Sequence, residues 1–254
     1  MAELYEKHNY LNKDIKVLRN TFINEYDMSA GGYSILKRAG ALSSFEIEYL
    51  EKCSKLERNI YLGNKVREQP ALNTLQIEGF TEARKLFFEL NNIDPNSVLA
   101  IKKDAIFLIR TTVPYKEFDG FKFKIENTYN SYYNINDVEF YYKSSTNKID
   151  TKGLKKVQHL HQDYFLNDLA RIFGLAEKNN QDYLIKYLKK YRRQYLGREL
   201  DVNCYRELNL DSMFRYKNNL AGEILLSEYP IPLEELEINY NYINYIIPLI
   251  GMYI

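Results

Sequence analysis

An α+β fold with antiparallel strands and helices in separate runs is expected from three observations. Alternating, β-rich hydrophobic segments occur at residues 21–27, 97–109 and 121–142. Segments of helical periodicity are grouped between and after them, at 33–58, 79–92 and 155–196. Strands and helices do not alternate one for one, which argues against a doubly wound parallel sheet.

Along the chain, Leu4, Leu11, Ile15 and Leu18 fall at helical spacing and predict a helix within residues 3–19. TFINEYD alternates and predicts a strand ending at Asp27, then a turn through Ser29-Ala30-Gly31-Gly32 and a short helix over Tyr33–Arg38. Ser43 and Glu46 have capping-box spacing, so a helix is expected from there to about Arg58, with a further basic segment to Arg67. Pro70 and Asn73 punctuate the chain before an amphipathic segment at 79–92, whose apolar face carries Phe80, Ala83, Phe87 and Leu90. Asp94-Pro95-Asn96 is a turn. Residues 97–109 read as two short apolar strands joined by a charged tip, Lys102-Lys103-Asp104. Strands are expected at 121–126, 129–135 and 138–142, a turn-rich linker over Asn147–Gly153, and helices over Lys155–Phe173 and Gln181–Leu196.

With 254 residues, 45% of them hydrophobic and 27% charged, the chain can bury one large core or two small ones. A net charge of +1 excludes a global polycation, so a nucleic-acid site has to come from local patches. The two cysteines, Cys53 and Cys204, lie in no metal-ligand spacing, and His8, His159 and His161 form no zinc pattern, as expected of a reduced, cytoplasmic chain. The N-terminus is polar and carries no secretory signal. The longest apolar stretch, Ile243–Ile254, falls short of the roughly 20 residues a membrane span needs, so no membrane partner is expected. The 24 tyrosines, with many Lys, Asn and Ile, fit an AT-rich coding sequence and hence a viral or mobile-element source, whose setting is the host cytoplasm.

Asp27 and Asp104 share one property: each is a charge at the tip of an apolar strand, where packing does not need it. If the two strands are neighbours, the carboxylates converge at one edge of a small sheet. Hard divalent cations, Mg²⁺ or Mn²⁺, prefer such oxygen ligands and are completed by substrate phosphates. Taken singly, an aspartate at a strand end is an ordinary turn residue.

The order of neighbouring segments adds to this pair. Asp27-Met-Ser-Ala-Gly-Gly-Tyr-Ser-Ile-Leu resembles the first palm motif of family B DNA polymerases. Lys55, Asn59 and Gly63, in KLERNIYLG, match the Lys–Asn–Gly spacing of that family's fingers helix, and IEGFTEARKLFFELNN resembles the helix that follows it. VLAIKKDAIFLI is similar to the palm motif ending in Asp-Ser-Ile-Phe-Val. EFYYK and IDTKGL stand where the family has its Lys-Lys-Arg-Tyr strand and the Lys-Gly that leads into the thumb. The resemblance covers roughly residues 22–175 and implies an antiparallel polymerase-like palm sheet with helical fingers and a helical thumb. Residues 1–150 would be the palm with a short fingers insertion at about 29–92, and 151–254 a thumb-like helical region and C-terminal tail.

Carried over by residue, the resemblance implies that Asp27 and Asp104 are the catalytic metal ligands. Lys55 would contact the triphosphate of an incoming nucleotide, and Asn59 and Tyr33 would line its pocket. Lys143, Lys152 and Gly153 would meet the primer–template backbone, as would Lys189, Arg192 and Arg193 of the thumb. The implied activity is nucleotidyl transfer to a nucleic-acid 3′ end by a split or minimal DNA polymerase subunit using two divalent metals. Its partners are a DNA primer–template, nucleoside triphosphates and a second protein chain supplying the N-terminal half. Two departures stand out. Where the palm motif has the first of two acids the chain has Lys102, and Gly32 falls where the family has its sugar-screening tyrosine. Lys102 favours the alternative, a catalytically inactive relative that binds nucleic acid or scaffolds a replication or virion complex.

Other features are weighed beside these. Tyr183, Tyr187, Tyr191 and Tyr195 recur every fourth residue among lysines and arginines, fitting either a core-facing stripe or a stacking surface for nucleic acid. His159 and His161, two apart on an expected helix, point to different faces and make poor co-ligands. Gly31-Gly32 lacks the Lys-Ser/Thr of a phosphate-binding loop. The apolar C-terminal segment from Pro232 reads as a docking strand or partner-binding tail.

Overall fold

The computed structural model describes residues 3–135, 138–153, 163–179, 181–197 and 199, with short strands at 214–216, 219–220 and 237–238. The fold is α+β, and each strand pair with a described register is antiparallel. Two compact units are present: residues 1–15 with 21–128, and residues 16–20 with 129–254. That division falls inside a long strand, ahead of the turn after residue 150 used in the sequence reading.

The first unit is built on a six-stranded sheet. Its strands are β1 (Asn9–Leu11), β3 (Ile23–Met28), β4 (Val98–Lys102), β5 (Ala105–Ile109), β6 (Glu117–Phe118) and β7 (Phe121–Tyr129), in the order β1-β4-β5-β3-β7-β6. β3 is central, and the chain leaves it through four helices before returning as the β4–β5 hairpin. This is a split β–α–β–β unit. The helices are α1 (Gly31–Arg38), α2 (Ser44–Lys52), α3 (Lys55–Glu68) and α4 (Ala71–Leu90). α4 lies on the sheet because Ala83, Phe87 and Phe88 share a core with Tyr26, Met28, Ile101, Ile106, Leu108, Phe121 and Phe123. α1 crosses α4 closely: a Cβ on Gly79 would come 2.3 Å from Ile35, so only glycine admits this approach. A second apolar cluster, including Leu36, Leu42, Leu50, Leu62 and Leu72, holds α1–α4 together.

Several elements differ from those expected. Residues 3–19 form no helix: after a 3₁₀ turn at Leu4–Glu6, residues 9–11 are an edge strand in register with Lys102, Ile101 and Ala100 of β4. A long-range partner there outweighs a local periodicity. The helix begun at the Ser43–Glu46 capping box stops at Lys52, because Ser54 and Glu57 form a second capping box that starts α3. Pro70 caps α4 instead of interrupting a helix, and Asn73 lies in its first turn. Leu90 is 44% exposed and does not belong to the buried stripe.

The second unit has a four-stranded sheet, β10-β9-β8-β2, from β2 (Val17–Leu18), β8 (Ser131–Ile135), β9 (Val138–Lys143) and β10 (Lys148–Lys152). The expected linker at 147–153 is therefore mostly strand: Asn147 takes a left-handed φ of 51° to close the turn, and Ile149 is buried. Helices α5 (Asp163–Lys178) and α6 (Gln181–Leu196) complete it, with Phe173 stacked on Tyr133 at 4.3 Å. A small sheet pairs β11 (Phe214–Tyr216) with β12 (Asn219–Leu220) and β13 (Glu237–Ile238).

Candidate active site

The strands ending at Asp27 and Asp104 are neighbours. β3 pairs with β5 so that Asp27 lies opposite Ala105, the residue after Asp104. The Met28 N–H donates to the Asp104 carbonyl at 3.2 Å. Asp104 sits at the tip of the β4–β5 hairpin, which closes over Lys103 in the left-handed region (φ 54°). Cross-strand partners share a face of the sheet. Lys102, Ala105 and Asp27 therefore form one row, which puts the lysine about two strand spacings (~10 Å) from Asp27.

Crowding of negative charge defines the electrostatics. Burial, then the charges of Asp104, Glu126 and Glu25, push the Asp27 carboxyl up to about 6, while Lys55 opposes them. Glu25 precedes Asp27 by two residues on the same face of β3, is buried, and accepts a hydrogen bond from Asn127. Glu126 comes from β7, beside β3, and pairs with Lys124. A site with more carboxylate than it can comfortably ionise invites a cation, and its oxygen donors suit a hard divalent one. Among the described residues no group of three His, Cys, Asp or Glu side chains is placed to hold a metal. A pair of carboxylates completed by water and substrate phosphates is the arrangement Mg²⁺ commonly takes.

Beneath the hairpin lies Arg84 of α4, 1% exposed and the largest fully buried side chain among the described residues. Its guanidinium donates to the Lys103 carbonyl (2.7 Å), the Tyr5 carbonyl (2.8 Å) and the Thr81 hydroxyl (3.1 Å). Burial pulls it down to about 10, against the favourable charge of Asp104. It still holds a full positive charge at neutral pH, under the turn that presents Asp104. His8 stands beside the same turn: its carbonyl accepts from the Lys103 N–H at 2.9 Å. Burial, Arg84 and Lys103 lower its pKa, and Asp104 opposes them.

The remaining predicted residues divide. Lys55 opens α3 directly after its Ser54 cap, is exposed, and reaches Asp27 electrostatically; Asn59 is exposed one turn later on the same face. Tyr33 is placed elsewhere, with its ring in the helical core and its hydroxyl donating to Glu51 at 3.1 Å. Gly32 packs near Gln76 of α4. In the second unit, Lys143 pairs with Asp150 at 2.7 Å, Lys152 ends β10, and Gly153 follows it at φ 91°. Lys189, Arg192 and Arg193 lie on α6, Lys189 and Arg193 exposed and Arg192 half-buried. His159, His161, Cys204 and most of the C-terminal tail lie outside the described residues.

Sequence reasoning passed over Arg84, Glu25, Glu126 and His8. A signal existed for the first: Arg84 lies four residues after Phe80 and three before Phe87, a charge inside the apolar stripe of its helix. Glu25 lies on the same face of β3 as Asp27, opposite the core-facing Tyr26 and Met28, and local pattern gives it no separate signal. Glu126 and His8 owe their place to strand pairings that local pattern does not encode.

Among the described residues no helix is long and apolar enough to cross a membrane. A family model described as Bacteriophage PBS1 gene 130 protein matches residues 1–251 of the chain. No curated protein matches it.

Proposed function

The chain belongs to the Bacteriophage PBS1 gene 130 protein family, and from its two-carboxylate site we propose that it transfers nucleotides to a nucleic-acid 3′ end with two divalent metals, Mg²⁺ or Mn²⁺. The observation that supports this reading is the adjacency of the strands bearing Asp27 and Asp104, with the charge of Asp104 felt at the Asp27 carboxyl. In this reading the six-stranded sheet is a polymerase-like palm, α1–α4 are its fingers and the second unit's helices its thumb. Asp27 and Asp104 hold the metals, which when bound supply charge neutralisation and activation of the attacking hydroxyl. Lys55, at the start of a helix and exposed, meets the triphosphate as a point charge, and Asn59 lines the pocket behind it. Arg84 keeps the Asp104 turn in place without touching substrate. DNA primer–template, nucleoside triphosphates and a second chain completing the polymerase are the proposed partners, in the host cytoplasm.

The test is primer extension by the full chain with Mg²⁺ or Mn²⁺. Extension by the wild type and its loss in Asp104→Asn are expected; equal extension by both would contradict the assignment. Lys102, in the same row as Asp27, favours a second reading, an inactive relative that binds nucleic acid or scaffolds an assembly. A wild type that binds primer–template without extending it, partner fractions included, selects that reading.

A further inference from the structure

The tyrosines of α6 do not behave as one stripe. The face of α6 turned to the core is Leu184, Leu188 and Tyr191, with the Tyr191 hydroxyl donating to Asp168 at 3.1 Å. Tyr183 is 40% exposed, and Tyr187 is half-buried beside it with ring centroids 6.1 Å apart. Positions 183, 186, 187, 190 and 193 follow helical spacing, so Tyr183, Lys186, Tyr187, Lys190 and Arg193 share one continuous face. They line an open groove of about 680 Å³ together with Ile185 and Lys189. Leu184, Leu188 and Tyr191 thus face inward, and the partly exposed aromatic pair is set among four cations.

We propose that this face of α6 binds single-stranded nucleic acid, with bases stacked on Tyr183 and Tyr187 and phosphates on Lys186, Lys190 and Arg193. Every base has a π-face, so two rings in a basic groove bind single strands with little sequence preference. The face spans about 15 Å from Tyr183 to Arg193, room for a few nucleotides. A duplex keeps its bases stacked on one another and can offer these rings nothing but phosphate. An acidic peptide or anionic membrane would use the cations but not the paired rings. The inference goes beyond the two-carboxylate reading and holds whether or not the chain polymerises.

Fluorescence anisotropy of the full chain tests it, with a labelled oligothymidylate, a blunt duplex of equal length and phosphatidylserine vesicles as probes. The oligothymidylate is expected to bind tightest, with log affinity falling against log salt at a slope of about −2, three phosphates at roughly −0.7 each. Tyr183→Ala/Tyr187→Ala should weaken it at least about tenfold, since losing one stacked base costs roughly five- to hundredfold, and leave the salt slope unchanged. Tyr183→Phe/Tyr187→Phe should restore it, separating ring stacking from any folding defect. Lys186→Glu/Lys190→Glu should lower both affinity and slope. Tighter binding of duplex or vesicles, or a double-alanine variant that is folded and binds like the wild type, would overturn the proposal.

Discussion

Asp27 is a carboxylate at odds with its surroundings. Its folded pKa, raised to about 6 by burial and neighbouring acids, lies above the ordinary aspartate value. Between those two values the folded chain holds more protons than the unfolded one, so stability falls as pH rises through that window, and the cost is complete above pH 6. Asp27→Asn removes this cost. The variant should be more stable than the wild type by about 1 kcal/mol at neutral pH, allowing for solvent screening at a partly exposed group, and equal to it at pH ~3. Urea unfolding at the two pH values checks the sign. Residues kept at a cost to stability commonly serve function. Arg84 behaves in the opposite way. Arg84→Met fills the volume but strips the Tyr5 and Lys103 carbonyls of a charged donor, and should cost roughly 3 kcal/mol in the same experiment.

At the level of elements, what could be read from the sequence depended on how local each element's determinants are. The β4–β5 hairpin was legible: two apolar runs flank the charged tip Lys102-Lys103-Asp104, and a two-residue turn closes them in register. The Ser43–Glu46 capping box was legible for the same reason. The break between α2 and α3 was equally local, in Ser54 and Glu57, yet the continuous basic pattern masked it. Ser54→Ala should lower stability by about 1 kcal/mol, and hydrogen exchange should place the loss in the first turn of α3, where Lys55 stands. Residues 9–11 were not legible, because β4, some 90 positions later, turns them into strand. The candidate site was half visible. Its two aspartates announced themselves as charges on apolar strands, whereas Glu126 and His8 come to it through sheet order alone.

At the scale of the chain, many of the described tyrosines serve packing. Tyr26 lies in the first unit's core, and Tyr129, Tyr132, Tyr133 and Tyr141 fill the second, all at most 1% exposed. Coding bias supplies the residue and burial uses much of it, while Tyr49, Tyr115 and Tyr183 stay exposed. With a net charge of only +1, any affinity for nucleic acid has to be concentrated where cations cluster, as they do on α6 at Lys186, Lys189, Lys190 and Arg193. Phage-family membership accords with the viral source expected from composition. The central claim is that Asp27 and Asp104 act together as one divalent-metal site. Mn²⁺ binding by the full chain, followed by electron paramagnetic resonance with a nucleoside triphosphate present, tests it most directly. Asp27→Asn and Asp104→Asn should each weaken binding by about tenfold or more, and wild-type affinity should drop as pH falls through about 6. Wild-type affinity retained in either variant would contradict a shared site.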